Sequence, residues 1–291
     1  MPVKSILQVG PYRYRIDTHL TDLRRDILRQ YRGYPWLDDT HVADFNISIQ
    51  APSFLRRFFR RNVYGSTDIE MPFFPVPVHH ALTCFEMAMN WQTAMGSLRH
   101  LILHASGVAR GDVSIIMPGE SGSGKSTLAA ALGYRGWRFL SDEFVMLDPE
   151  TALHQAYPRP ASLKNESIAV MQREAPPEQF SQPFYDTPKG TIAFLRPQAK
   201  AVDAMHIQAK PALIVFPQFS KTAPPCLQPL MQEEAFLKLV SGSANYDRMG
   251  ESGFTLLCTI VKDCTSYILT YNSFDQAETL LLQALKDKGH G

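Results

Sequence analysis

The sequence predicts an α/β fold, or a mixed α+β one, on three observations. After Gly96, short apolar runs alternate with helical patterns; Asp112 to Leu147 reads as one strand, glycine loop, helix and strand unit; and 45% apolar against 20% charged residues is ordinary globular usage. The 291 residues are enough for a large buried core. That composition excludes a wholly disordered, collagenous or coiled-coil chain.

Residues 1–95 read as a region of their own, an N-terminal extension with short aromatic segments and many prolines. Its first helical stretch runs from Thr21 to about Tyr31, with Leu23, Ile27, Leu28 and Tyr31 on one face and Thr21 or Asp22 as the cap. Arg56 to Arg61 sets four guanidiniums around two phenylalanines, which reads either as a solvated segment with its rings inward or as a docking patch for an acidic peptide or phosphate. Ala81 to Thr93 has Leu82, Phe85, Met89 and Gln92 at helical spacing and reads as core packing.

Residues 96–291 form the second region. Leu98 to His104 is a buried strand or the end of the preceding helix, and Asp112 to Met117 is a short buried strand. Ser126 to Tyr134 is a helix stopped by Gly136, after which Trp137 to Leu147 resumes as strand. Ile192 to Leu195, Ala212 to Phe216, Phe254 to Ile260 and Ser266 to Tyr271 follow as strands, and Asp275 to Lys286 as a terminal helix capped by Ser273.

Charge and cysteine usage narrow the function. Twenty-nine basic against 28 acidic residues leave a net charge of +1, so no global field pulls the chain onto nucleic acid or an anionic membrane. Cys84, Cys226, Cys258 and Cys264 are too scattered for a zinc knuckle. Prolines and arginines interrupt the start before a signal-peptide core, and no run approaches the roughly 18 apolar residues of a membrane span. The expectation is a reduced, cytoplasmic protein.

Gly119-Glu120-Ser121-Gly122-Ser123-Gly124-Lys125-Ser126-Thr127 satisfies G-x-x-x-x-G-K-[ST], with a strand before it and a helix after it. Glycines let successive amides turn inward as an anion nest, and the new helix adds the positive end of its dipole. Lys125 brings a charge to the β- and γ-phosphates and Ser126 a hydroxyl to magnesium, so ATP and Mg2+ are the expected cofactors. Background composition matches such a pattern in roughly one chain of this length per hundred. Seventeen residues past the lysine, Asp142 and Glu143 stand inside an apolar stretch, where ionised carboxylates need a cation, a metal or a hydroxyl donor.

These residues resemble HPr kinase/phosphorylase and the wider group of HPr-kinase-related proteins. The resemblance is carried by Leu103 to Val108, the loop Gly119 to Ser126, Tyr134-Arg135-Gly136-Trp137-Arg138 and Ser141-Asp142-Glu143, and fades outside about 100 to 150. It implies an α/β (mixed α+β) fold of the HPr-kinase/phosphoenolpyruvate-carboxykinase type, with a phosphate loop in a twisted mixed sheet. It also implies that Asp142 and Glu143 contain the base for the acceptor hydroxyl and help hold magnesium. The family's pair is two aspartates, so which of the two is the base stays open. His104 matches the family's functional histidine and equally suits a core or strand-end position. Arg159, Lys164 or Lys189 would balance charge on the transferring group, with Asp186 or Glu166 near the metal. The family's glycine- and arginine-rich phosphorolysis loop is missing, which implies a kinase alone.

The leading expectation is therefore a Mg2+- and ATP-dependent kinase acting on a hydroxyl of a protein, peptide or small molecule, with Ser or Thr of a protein or peptide first. A nucleotide-binding adaptor without transfer is the alternative, and a hydrolysis-driven motor lacks a signature. Residues 1–95 are left for substrate or partner docking, and a homo-oligomer stays open.

Overall fold

The computed structural model describes residues 5–53, 61–70, 74–120 and 122–290. Among these the chain is a mixed α/β protein with eight α-helices and three sheets, of six, eight and three strands. Within this group no helix is long and apolar enough to cross a membrane.

The six-stranded sheet is built from the start of the chain. β1 (Ile6–Val9), β2 (Tyr12–Asp17), β3 (Trp36–Leu37), β4 (Phe45–Gln50), β5 (Asn62–Thr67) and β6 (Val76–Pro77) take the order β3-β1-β2-β4-β5-β6. Alternation makes the sheet one-sided: β2 buries Tyr12 and Tyr14 and β4 buries Phe45, Ile47 and Ile49. Against that face pack α1 (Thr21–Gln30), through Leu23 and Ile27, and α2 (Ala81–Gly96), through Phe85, Ala88 and Met89. Neither Thr21 nor Asp22 caps α1. The residue before the helix is Leu20, whose amide is taken by Thr18 Oγ1 at 3.2 Å. The apolar core of this layer also takes in Ile102, Phe144, Tyr157 and Phe194 from beyond residue 96.

The remaining strands are β7 (Leu101–Arg110), β8 (Val113–Pro118), β9 (Arg138–Ser141), β10 (Phe144–Leu147), β11 (His154–Gln155), β12 (Ala161–Lys164), β13 (Phe184–Thr187), β14 (Gly190–Leu195), β15 (Lys210–Phe219), β16 (Cys226–Pro229) and β17 (Thr265–Tyr271). The interleaved helices are α3 (Lys125–Tyr134), α4 (Glu166–Met171), α5 (Ala199–Asp203), α6 (Gln232–Ser241), α7 (Tyr246–Asp263) and α8 (Phe274–Asp287). The large sheet runs β11-β10-β7-β8-β15-β17-β16, with β9 also on β7. Within this sheet, among the described residues, only β8, β15 and β17 are parallel, and in the six-stranded sheet β2 and β4 are. This centre is covered on one face by α3 and α8, through Leu128, Leu132 and Leu281, and on the other by α6 and α7, through Leu239, Leu257 and Ile260. Being buried on both faces, β8 and β15 read as continuous apolar runs. The third sheet, β12-β14-β13, stands beside α3 and α4.

Two sequence expectations differ. The strand expected at Phe254 to Ile260 lies inside α7, where Leu256, Leu257, Ile260 and Val261 bury one helical stripe. The single strand expected from Trp137 to Leu147 is interrupted, with β9 pairing Gly107 to Ala109 and β10 pairing Leu101 to His104. The interruption falls on Asp142 and Glu143. Leu98 to His104 resolves as strand from Leu101, and Ser273 caps α8 by accepting from the Gln276 amide.

Candidate functional site

The site begins where β8 ends. This strand is central and buried, so the chain leaves it at the C-terminal end of the parallel strands and turns by way of Gly119, Gly122 and Gly124 into α3. Gly122 (φ 90°) and Gly124 (φ 95°) hold the left-handed backbone that the turn requires. A Cβ on Gly124 would stand 2.5 Å from Tyr271 Oη of β17, and that hydroxyl donates to the Gly124 carbonyl at 3.3 Å. Lys125 is the first residue of α3. It is buried, and Nζ reaches back over the loop to the Glu120 carbonyl at 3.4 Å. Burial holds the Lys125 ammonium below its ordinary range, against the pull of Glu143 and Asp142. Ser123 Oγ is buried without a hydrogen-bond partner. Ser121 lies outside the described residues. Glu120, Ser126 and Thr127 flank the turn, the last two on the first turn of α3.

The interrupted strand brings the acids to this loop, and the two carboxyls differ. Asp142 is buried and held by donors: Ser162 N to Oδ2 at 2.8 Å, Ser106 Oγ to Oδ1 at 3.3 Å, and the Ser126 hydroxyl. Burial, with Glu143 adding to it, pushes its pKa up to about 6, and those donors with Lys125 offset part of the rise. Glu143 instead faces a cavity of about 760 Å³. Its Oε2 lies 3.5 Å from Nδ1 of His104, which pairs across the interruption from β7. Burial at the cavity wall lowers the His104 pKa. Glu143 opposes that, and Lys125, Lys164 and Lys189 add to it.

The same cavity is lined by Gly122, Gly124, Ser126 and Thr127, and by Lys164, Glu166 and Lys189. Glu166 is largely exposed and faces Lys221 at 3.5 Å; among the described residues it joins no group of three metal-ligating His, Cys, Asp or Glu side chains. Asp186 lies outside this cavity and lines another, beside α1. Arg159 is also not at the site. It is buried against Glu86 of α2, where it donates to the Glu86 carboxylate and carbonyl, because a guanidinium enclosed by Tyr31 and Tyr157 needs that carboxylate. Of the Arg56 to Arg61 run only Arg61 lies in the described residues; it lines the cavity beside α1.

Residues with no assigned sequence role complete the site. Ser106 and Ser162 hold Asp142, Tyr271 and Phe219 wall the loop, and Asn165 joins the turns bearing Lys164 and Lys189. A serine between Ala105 and Gly107 on a buried strand was the available signal for Ser106. For Tyr271 no local signal exists.

No family model matches the chain, and no curated protein matches it in sequence. A solved structure of the Hpr(Ser) kinase/phosphatase from Coxiella burnetii is similar at 16% identity and a TM-score of 0.29, over 65% of this chain and 95% of that one. At that level the likeness is a remote structural relationship, and the function of this site is read from its own residues.

Proposed function

We propose that the protein is a kinase that transfers the γ-phosphoryl group of ATP to a hydroxyl, first of all a Ser or Thr of a protein or peptide. The observation that carries this reading is one cavity shared by Lys125, with its glycine loop, and by Glu143 with His104. About 760 Å³ is room for a nucleotide and an entering side chain.

The loop's fit to phosphate rests on its shape. The loop curls at a helix start, with the Ser123 amide turned back onto the Glu120 carbonyl at 3.3 Å, Gly122 and Gly124 hold the left-handed backbone of that curl, and Ser123 Oγ is a buried hydroxyl in need of a partner. Ser126 and Asp142 offer hard oxygens, the Ser126 hydroxyl favouring the charged Asp142 carboxylate, and together they suit magnesium, which would supply charge neutralisation on the phosphate oxygens. Asp142 is already engaged by three donors, which suits holding rather than proton transfer. Glu143 is the acid open to the cavity, and we assign it as the base.

In the reaction the acceptor oxygen forms a bond to the γ-phosphorus as the bond to the bridging β–γ oxygen breaks, and ADP leaves with that electron pair. The acceptor's proton passes to the Glu143 carboxylate, which His104 orients through the 3.5 Å contact. Lys125, Lys164 and Lys189 meet the charge on the transferring group.

Incubating the protein with γ-labelled ATP, Mg2+ and candidate peptides tests this. Label recovered on a hydroxyl, and lost in Lys125→Ala, is the expected result. ATP bound without label transfer to any acceptor favours the adaptor reading instead.

A further inference from the structure

Two separate turns bring lysines into the cavity: Lys164 ends β12, and Lys189 sits at the tip of the β13–β14 hairpin. Neither side chain has an ion-pair partner among the described residues, and both act electrostatically on His104 and Lys125. The β12–β14 ladder, which ends at Lys164 and Ile192, brings the two turns side by side, and one side chain adds a bridge beyond it. Asn165 Nδ2 donates to the Lys189 carbonyl at 3.4 Å, and Asn165 Oδ1 accepts from the Thr191 amide at 3.0 Å. Its own amide donates to the Thr191 carbonyl at 2.9 Å.

The backbone at this point is informative. Asn165 has φ 50° and ψ −121°, a conformation in which glycine is the least strained residue. Gly190 at φ 83° packs so closely that a Cβ there would run into Asn165 Oδ1. The turn's shape alone is therefore served better by glycine, whereas the bridge across to Lys189 and Thr191 requires the amide side chain. Ser167 fixes the same turn from the other side, accepting from the Lys164 amide at 2.8 Å.

We infer that Asn165 is a positioning residue that locks the Lys164 and Lys189 turns into one cationic jaw, closing on the phosphate chain opposite Lys125. This rests on the reading of the cavity as an ATP site. The jaw engages the β- and γ-phosphates and not the base or the α-phosphate.

The test is Asn165→Gly, which keeps the turn and removes the bridge. ATP with Mg2+ and AMP are titrated by calorimetry, melting is followed in parallel, and label transfer from γ-labelled ATP is measured separately. ATP affinity is expected to fall on the order of tenfold, as for loss of charge-assisted contacts, with AMP affinity and melting temperature held. Added to Lys164→Ala with Lys189→Ala, the substitution is expected to cost nothing more. Asn165→Asp, which tolerates the same backbone but cannot donate to the Lys189 carbonyl, should weaken ATP as well, and serves if the glycine variant melts early. Parental ATP affinity in both variants, equal losses for ATP and AMP, or a further loss in the lysine-free background would each overturn the assignment. If the parental protein binds no ATP, the site reading and the jaw fall together. If ATP binding follows the jaw but no hydroxyl is labelled, the transfer reading alone fails.

Discussion

Among the described residues, Lys, Arg, Asp and Glu side chains are buried in two places, and these are built in opposite ways. Under the six-stranded sheet, Arg159 and Glu86 form a buried ion pair. Tyr31 Oη donates to Glu86 at 2.9 Å, Arg159 also reaches Asn90 and keeps only its Nε without a partner, and Tyr14, Tyr157 and Thr93 bond to one another alongside. At the end of β8 the counterpart is left open. Lys125 has only a long contact to a carbonyl, Ser123 Oγ has no partner, and Glu143 and His104 face empty volume. A closed network spends its hydrogen-bonding capacity on the fold. An open one keeps it for something that arrives, which is why the second cluster and not the first is read as the site.

The comparison breaks first at Arg159. Removing one partner of a buried pair leaves the other charge uncompensated, so Arg159→Ala is expected to lose about 3–5 kcal/mol of stability. Urea unfolding checks this. Glu86→Leu with Arg159→Met should recover most of the loss, since an apolar pair of similar volume needs no partner. A single variant as stable as the parent would place Arg159 outside any structural role and return it to the candidates for phosphate contact.

Glu143→Gln tests the open side. A general base contributes about 10²–10⁴-fold, so transfer should fall on that order while ATP affinity and unfolding midpoint hold. Transfer at the parental rate would move the base to Asp142.

Acid should strain the closed parts of the fold. Burial holds His154 down at about 3, with Arg138 adding to it, and His100 down at about 4, where Tyr12 Oη meets its Nδ1 at 3.0 Å. Both are neutral when folded, whereas an unfolded histidine takes its proton near 6.5. The unfolded chain therefore binds protons first, and stability present above about pH 6.5 is lost as pH falls toward those folded values. At pH 5 each group is expected to cost about 2 kcal/mol. Urea midpoints at pH 7 and pH 5 measure the sum, and the difference should shrink in His100→Gln. Equal midpoints would mean that neither imidazole is held neutral.

How far the sequence reaches depends on whether a contact is local. Gly119 to Thr127, α3 and the Ser273 cap are legible because each is set by neighbours within a few residues. Phe254 to Ile260 misleads because Thr, Cys and Ile there suit a strand. Its burial follows 256, 257, 260 and 261, a helical spacing that a wider window would have caught. Arg159 could not be placed from sequence, since its partner Glu86 is 73 residues away. The Asn165 link to Lys189 and Thr191 likewise spans 24 and 26 residues and leaves no periodic trace.

Ser106 stands on the border between the two kinds of network and gives the smallest effect. Its hydroxyl is buried and donates to the Asp142 carbonyl at 2.7 Å and to Oδ1 at 3.3 Å, so it belongs to the fold while touching an acid of the site. Ser106→Ala removes the hydrogen bond to the Asp142 carbonyl with the longer contact to Oδ1, and leaves the Asp142 carboxylate with Ser162 and Ser126. The expected loss is about 1 kcal/mol in urea unfolding. Transfer should fall less than in Glu143→Gln, because the proposed base, Glu143, keeps its place beside His104 and only Asp142 loosens. A loss of transfer as large as that of Glu143→Gln, with stability intact, would show that Asp142 acts on the acceptor and that its burial does not remove it from the chemistry.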